Sequence, residues 1–353
     1  LFRSARLGHE RCSTLDADYR SGMGQFLTPP HLASLLAGMF DSAEGHVRLL
    51  DPGAGMGALT AAFVETVLSR ERKPLSLHLT VWEAEKNFIA GLKQVLESCV
   101  ELGRAAGVPT EFVLHHGDML QEGAALVDEA DLFRGAQRNP GFTHAIMNPP
   151  YRKINTDSEA RRVLRRAGLE TSNLYTGFLW LAARLLEPEG QLVAITPRSF
   201  CNGPYFLPFR EQFFRMMTLE RLHVFDRRDA LFSGDEVLQE NLIMYARRGT
   251  KRRSSVVLSS SNGRPVGAAR SRAVPYARVI DPGDTSQVVH LALEAVDDDV
   301  QGAVMGMPAS LADLGIAVST GRVVDFRARD FLRQNPGEQT VPLIYPLHFN
   351  GGC

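Results

Sequence analysis

Short apolar runs alternate with longer segments of helical periodicity along most of the chain. Seven runs have the length and composition of strands, at residues 47–51, 77–83, 111–118, 144–148, 191–196, 221–225 and 241–246. Between them lie helix-like segments such as residues 57–71 and 174–190, where apolar residues recur at helical spacing. This alternation predicts an α/β fold with a doubly wound, mostly parallel seven-stranded sheet and helices on both faces.

The composition changes after residue 246. Residues 247–272 contain eight Lys or Arg and no acidic residue, together with many Ser and Gly. Such a segment is typical of a solvated linker, and a direct contact with phosphates is the alternative. The sequence therefore predicts one domain over residues 1–250, followed by a basic linker and a C-terminal extension over residues 251–353.

Composition and charge exclude several classes of protein. Hydrophobic residues make up 44% of the 353 residues and charged residues 22%, as in an ordinary globular protein. The net charge is −1, so a surface for nucleic acid or membrane must be local. The four cysteines form no CxxC pair, which argues against zinc and disulfides and favours a reducing cytoplasm. We find no apolar run long enough to span a bilayer.

A glycine turn follows the first predicted strand, in the sequence Asp51-Pro52-Gly53-Ala54-Gly55. Glycines between a strand and a helix allow a tight turn and let a ligand approach the backbone closely. The pattern D-P-G-x-G-x-G differs from the G-x-G-x-x-G of nicotinamide-binding proteins, and an ordinary glycine-rich turn is the alternative.

Two further acids end the next two predicted strands. Glu83 is placed to accept hydrogen bonds from two ribose hydroxyls, and Asp118 from an exocyclic amine. Their neighbours Ala84 and Met119 are placed to sandwich a flat ring. Each acid alone is more typical of a surface carboxylate or a helix cap, but acids at three consecutive strand ends favour a ligand site.

The fourth predicted strand stops at Asn148-Pro149-Pro150-Tyr151, where two prolines end the backbone hydrogen bonding of the sheet. In this order, the glycine turn, the two acids and this motif resemble the S-adenosylmethionine-dependent DNA amino-methyltransferases. Residues 24–40 also resemble the members of this group that methylate adenine N6, and residues 196–211 and 237–248 resemble the Eco57I-like restriction–modification methylases. The resemblance covers residues 20–250 and implies a Rossmann-like methyltransferase domain.

The resemblance implies S-adenosylmethionine as the cofactor. Thr28 is expected to cap a helix whose first residue is Pro29, leaving backbone amides for the methionine carboxylate. The implied cofactor-binding residues are Phe26, Thr28, Pro29, Asp51, Pro52, Gly53, Ala54, Gly55, Glu83, Ala84, Asp118, Met119 and Asn148. His115 and His116 lack a further ligand at metal spacing, so we predict no metal site.

The implied reaction is methylation of adenine N6. The Asn148 side-chain oxygen and the Pro149 carbonyl, held rigid by Pro150, would accept the two amine hydrogens. The base must be flipped out of the duplex, and Tyr151 would stack on one face of it. The family places a second aromatic residue on the other face, and Phe232 is the candidate here.

Other acceptors fit the same motif. Cytosine N4, the amide nitrogen of a protein glutamine and an exocyclic amine of an RNA base are alternative acceptors. A degenerate DNA-recognition or scaffold subunit is a nonenzymatic alternative. The expected partners are double-stranded DNA and a cognate restriction endonuclease, in the cytoplasm of a bacterium or archaeon, with no membrane. Residues 251–353 are expected to begin a target-recognition region that is truncated at Cys353, so that this chain alone would recognise DNA weakly.

Overall fold

The computed structural model describes residues 28–41, 43–132, 141–225, 240–249, 253–261, 270–309, 311, 313–317, 328–335 and 337–344. Two compact units divide the chain, residues 1–297 and residues 298–353. The first unit contains the sheet and the predicted site. The second unit contains, among its described residues, the end of a helix and one short 3-10 turn.

Helices and strands alternate through the first unit as predicted. The described strands are β1 His46–Asp51, β2 Ser76–Glu83, β3 Thr110–His116, β4 Phe142–Met147, β5 Leu186–Pro197, β6 Met217–Phe225, β7 Asn241–Arg248, β8 Ser255–Ser261 and β9 Arg270–Pro275. The described helices are α1 Pro30–Gly38, α2 Ala58–Leu68, α3 Lys86–Ala105, α4 Met119–Leu132, α5 Glu159–Arg166, α6 Leu174–Leu185, α7 Leu207–Met216, α8 Tyr276–Val279 and α9 Ala295–Met305.

One sheet contains all of these strands, in the order β3-β2-β1-β4-β5-β7-β6-β8-β9. Strands β3, β2, β1, β4 and β5 are parallel to one another, and β7 is antiparallel to both β5 and β6. The predicted α/β class and mostly parallel sheet are confirmed, and all seven predicted strands are present. The sheet has nine strands among the described residues, so the predicted number of seven was wrong.

The two additional strands, β8 and β9, lie beyond residue 250. Strand β8 is parallel to β6, and β9 is antiparallel to β8. Val256, Leu258 and Val274 are buried, which anchors both strands to the rest of the sheet. The basic and serine-rich composition of this region obscured them, because each strand has only a short apolar stretch, residues 256–258 in β8 and residues 273–274 in β9.

Helices cover both faces of the sheet, which makes it doubly wound. One face packs against α1, α2 and α3, through a core that includes Leu36, Phe63 and Leu96. The other face packs against α4, α6 and α7, through a core that includes Leu120, Trp180 and Phe213. Because both faces are buried, the central strands consist of nearly continuous apolar runs.

The order of the strands places a crevice at the carboxyl ends of β1 and β4. The chain leaves β1 toward β2 on one side, whereas β4 and β5 lie on the other side. Open α/β sheets bind ligands at such a switch point, outside the carboxyl ends of the strands. The glycine turn follows β1 and the Asn148–Tyr151 motif follows β4, so the fold brings both to this edge.

Candidate cofactor and acceptor site

The glycine turn between β1 and α2 depends on backbone conformations that favour glycine. Gly55 has φ 56° and Gly57 has φ 82°, both in the left-handed region. A Cβ atom on Gly57 would lie 2.9 Å from Leu92 Cδ1 and 3.0 Å from Val95 Cγ1. Gly57 therefore also allows close packing of the turn against α3.

Asp51 is fully buried at the end of β1. Its Oδ2 accepts a hydrogen bond of 2.7 Å from the Thr60 hydroxyl, and its Oδ1 is buried with no hydrogen-bond partner among the described residues. Burial raises the pKa of Asp51 to about 7, although the Thr60 hydroxyl and the nearby Gly53 backbone amide lower it. A buried carboxyl group with an unpaired oxygen suits a ligand that carries a positive charge or a donor, such as an ammonium group.

Glu83 connects the end of β2 to the glycine turn. Its Oε2 accepts a 2.7 Å hydrogen bond from the Gly55 amide, and its Oε1 accepts one of the same length from the Glu85 amide. Burial raises the pKa of Glu83, and the backbone hydrogen bonds lower it. Each oxygen keeps a second lone pair, so hydroxyl groups of a ligand can still donate to this carboxylate.

Asp118 is exposed after β3, where it caps α4. Its Oδ1 accepts a 2.9 Å hydrogen bond from the Leu120 amide. One oxygen of this exposed carboxylate therefore acts as a helix cap, which is the alternative to a role in ligand binding. Ala84 is exposed, whereas the Met119 side chain is buried in the core beside Gly123. The roles of these three residues in binding a cofactor stay predictions.

Thr28 contacts the acceptor motif directly, which the sequence did not indicate. The Asn148 amide nitrogen Nδ2 donates a 3.1 Å hydrogen bond to Thr28 Oγ1. The prediction that Thr28 caps a helix beginning at Pro29 was wrong: α1 begins at Pro30, and Pro29 has the N-cap position with no side-chain cap. Pro29 has extended dihedral angles because the residue before a proline avoids the helical region.

The motif after β4 is held from its other side by Tyr151. The Tyr151 hydroxyl donates a 2.8 Å hydrogen bond to Asn148 Oδ1 and lies 3.2 Å from the Ile195 carbonyl. Asn148 and Tyr151 are half-buried, Pro149 is buried and Pro150 is half-buried. Burial raises the pKa of Tyr151, so its hydroxyl stays protonated. The amide of Asn148 is therefore fixed between two hydroxyl groups.

Aromatic side chains continue from Tyr151 into the core. The Tyr151 and Tyr175 rings meet edge to face at 6.4 Å, and Phe206 lies 5.7 Å beyond Tyr175. The Tyr175 hydroxyl is 3.0 Å from Ser199 Oγ. Phe178, one turn further along α6, approaches Gly53 in the glycine turn.

The helical spacing of residues 174–190 predicted a helix in this region but not its contact with the site. The available signal was the spacing of Tyr175 and Phe178, which places both on one face of the helix.

Two predicted residues lie outside the described residues, Phe26 and Phe232. Their expected roles, as a cofactor contact and as the second aromatic residue, stay predictions. Among the described residues, no cluster of three or more His, Cys, Asp or Glu is arranged to hold a metal ion. In the same part of the chain, no helix is long and apolar enough to cross a membrane.

The sheet order and the site at its switch point define the class of this protein. The fold is that of the Rossmann-like, S-adenosylmethionine-dependent methyltransferases. A Listeria monocytogenes protein assigned to class I of these enzymes superposes with a TM-score of 0.51 and 14% identity, over 74% of each chain. This likeness concerns the fold alone.

Within that class, residues 84–232 match the model of the family described as Eco57I restriction-modification methylase. The chain is 38% identical over 337 residues to Type II methyltransferase M.PstI of Providencia stuartii. It is 36% identical over 335 residues to Type II methyltransferase M.BsuBI of Bacillus subtilis. The predicted resemblance to the Eco57I-like restriction–modification methylases is confirmed.

These matches cover 95% and 94% of this chain, but 65% and 64% of the two relatives. The chain thus spans slightly less than two thirds of the length of the relatives that it matches.

Proposed function

We propose that the protein methylates specific double-stranded DNA, as the modification enzyme of a restriction–modification system. The acceptor that we propose is the N6 amine of a flipped-out adenine, and the proposed cofactor is S-adenosylmethionine. The observation that carries this proposal is the contact between Thr28 and Asn148, because it joins a residue of the expected cofactor site to the acceptor motif. The Type II methyltransferase relatives support DNA as the acceptor.

The residues at the crevice fit the proposed cofactor. Asp51 offers a buried carboxyl oxygen to an ammonium group, and Glu83 offers two oxygens to ribose hydroxyls. The positive φ angles of Gly55 and Gly57 keep the turn narrow enough for a ligand to approach the backbone. When bound, S-adenosylmethionine supplies an electrophilic methyl group on a sulfonium centre.

The acceptor motif would act by positioning and by fixed dipoles. The lone pair of the adenine amine is delocalised into the ring, so the amine is a weak nucleophile. Asn148 Oδ1 and the Pro149 carbonyl would accept its two hydrogens, which draws the nitrogen toward tetrahedral geometry and aims its lone pair. Methyl transfer would form the N–C bond as the sulfonium S–C bond breaks and its electrons return to sulfur, and the amine nitrogen would then lose one proton to solvent.

Tyr151 would hold the base in this position. An adenine inside a duplex cannot reach the crevice, so it must leave the stack. The Tyr151 ring would replace part of the lost stacking, which is worth about 1–3 kcal/mol per base. Its hydroxyl already bonds Asn148 Oδ1, which orients the amide oxygen that would accept from the incoming amine.

Methyl transfer from labelled S-adenosylmethionine to duplex DNA of mixed sequence tests this proposal. We would use the full-length protein beside an Asn148→Ala control and digest the product to nucleosides. We expect labelled N6-methyladenine from the parent protein and none from the control. Label on cytosine N4 would overturn the base assignment, and cofactor binding with no label on DNA would favour a protein or RNA acceptor.

A further inference from the structure

A short helix stands beside the acceptor motif on a loop that closes at its base. Residues 152–154 pair with residues 172–174: the Leu174 amide donates to the Arg152 carbonyl at 2.9 Å, and the Ile154 amide to the Ser172 carbonyl at 2.8 Å. Helix α5, Glu159–Arg166, lies within this loop. Since the pairing begins one residue after Tyr151, the loop is anchored directly at the motif.

The inner side of α5 fixes the helix at the carboxyl edge of the sheet. Leu164 is fully buried, and a Cβ atom added to Gly177 in α6 would lie 2.7 Å from Leu164 Cδ1. The same position is 3.5 Å from Leu120, two residues after Asp118. Helix α5 therefore rests on the first turns of α4 and α6, beside the crevice.

Two of the four arginines of α5 have a structural role. Arg161 Nε donates to Glu170 Oε1 at 2.8 Å, and Arg165 Nε donates to Glu170 Oε2 at 2.7 Å. These hydrogen bonds lower the pKa of Glu170 to about 2, so its carboxylate stays charged at any physiological pH. Glu170 thus ties these two arginines to the end of the loop.

The other two arginines, Arg162 and Arg166, are exposed and lie one helical turn apart. In the part of the chain that the structure describes, neither side chain forms an ion pair. Arg152 and Lys153, at the base of the same loop, are also exposed and add two positive charges to it. Residues 152–170 contain six cationic and three acidic side chains, a net charge of +3, although the whole chain has a net charge of −1.

We propose that Arg162 and Arg166, together with Arg152 and Lys153, bind backbone phosphates of duplex DNA beside the target base. This inference rests on the proposed function and names a surface on which its substrate is held. Arginine binds phosphate through two parallel hydrogen bonds, and two unpaired arginines on one helix face can reach neighbouring phosphates of a strand. Such contacts fix the register of the duplex over the crevice without reading its sequence.

The test is the salt dependence of binding to a duplex of unrelated sequence. We would compare the full-length protein with the double variant Arg162→Gln/Arg166→Gln. The matched control is Lys93→Gln/Arg104→Gln, which removes two exposed charges from α3. Each lost phosphate contact should reduce the magnitude of the slope of log association constant against log salt concentration by about 1. The slope for the α5 variant should therefore be smaller by about 2, and the slope for the control should change much less.

The kinetics of methyl transfer separate this inference from the proposed function. The α5 variant should raise KM for DNA and leave the rate at saturating DNA nearly unchanged, with an unchanged thermal midpoint. If the parent protein methylates DNA but the α5 variant and the control have equal salt slopes, phosphate binding by α5 is overturned and the proposed function is not. A reduced slope without methyl transfer by the parent would overturn the proposed function alone. A slope that changes for RNA but not for duplex DNA would overturn the proposed partner.

Discussion

At the scale of single residues, the site is organised around the Asn148 side chain. Thr28 accepts a hydrogen bond from its nitrogen, and Tyr151 donates one to its oxygen. Both partners bear hydroxyl groups, and neither bond involves a residue adjacent to Asn148 in the chain. An amide held at both ends cannot rotate freely, so under the proposed function its oxygen would meet the substrate amine without a cost of reorganisation.

The Thr28 hydroxyl can be tested with two conservative variants. Thr28→Val keeps the size of the side chain and removes the partner of Asn148 Nδ2, so we expect the maximal rate of methyl transfer to fall by about tenfold, as for the loss of one hydrogen bond. Thr28→Ser keeps the hydroxyl and should recover most of that rate. Single-turnover rates at saturating cofactor and DNA measure both. Equal rates for the valine and serine variants would contradict this role.

The raised pKa of Asp51 predicts how cofactor affinity depends on pH. Its pKa is about 7 in the folded protein, against about 3.9 in an unfolded chain, so Asp51 lowers stability as pH rises between these values. An ammonium group of the proposed cofactor beside Asp51 would favour the carboxylate, so its binding below pH 7 would release a proton. The dissociation constant for S-adenosylmethionine should therefore fall as pH rises from about 5.5 to 7.5.

Calorimetry in buffers of different ionisation enthalpy measures that proton. Glu83 also has a raised pKa, so the variant Asp51→Asn is needed to separate the two groups. We expect this variant to bind the cofactor more weakly and to lose most of the pH dependence between pH 5.5 and 7.5. An undiminished pH dependence would show that the proton comes from another group.

At the scale of elements, helix α1 lies between two polar contacts with the sheet region, one just before its first residue and one just after its last. Thr28, two residues before the helix begins, contacts Asn148, and Asp41, three residues after the helix ends, contacts the sheet. Asp41 accepts hydrogen bonds from the side chains of Arg221, Arg247 and Tyr245 in β6 and β7. Helix α1 is thus held to the rest of the domain by hydrogen bonds on both of its sides along the chain.

Removal of the Asp41 carboxylate should destabilise the protein. For Asp41→Ala we expect a loss of about 1–3 kcal/mol in the free energy of unfolding, because two arginines and a tyrosine lose a charged acceptor. The control is Glu44→Ala, which breaks an exposed ion pair with Arg72 and should cost less than about 1 kcal/mol. Denaturant unfolding of the two variants measures the difference, and equal losses would contradict the stabilising role of Asp41.

At the scale of the whole molecule, β8 and β9 determine where the sheet ends. Val256 and Leu258 of β8 are buried against the other strands, although they follow the most basic part of the chain. A basic, serine-rich composition therefore did not exclude a place in the sheet. The functional division between residues 1–250 and residues 251–353 stays a prediction.

Two shortened chains test the role of these strands. A chain that ends at residue 249 loses β8, β9 and α8 and exposes an edge of β6. It also loses six buried aliphatic side chains, Val256, Leu258, Val274, Val279, Ile280 and Val289. We expect its thermal midpoint to be lower by roughly 10 °C or more than that of a chain ending at residue 297. Similar midpoints would show that seven strands form a sufficient sheet.

The sequence by itself determined the α/β class, seven of the strands and the site motifs, because these depend on local periodicity and on residues next to strand ends. Asp51, Glu83 and Asn148 all lie at the carboxyl edge that their positions predicted. Only the tertiary structure decided that Thr28 bonds Asn148, 120 positions away, and that α6 brings Tyr175 against Tyr151. Such contacts depend on the order of strands and the packing of helices, which local patterns along a chain do not specify.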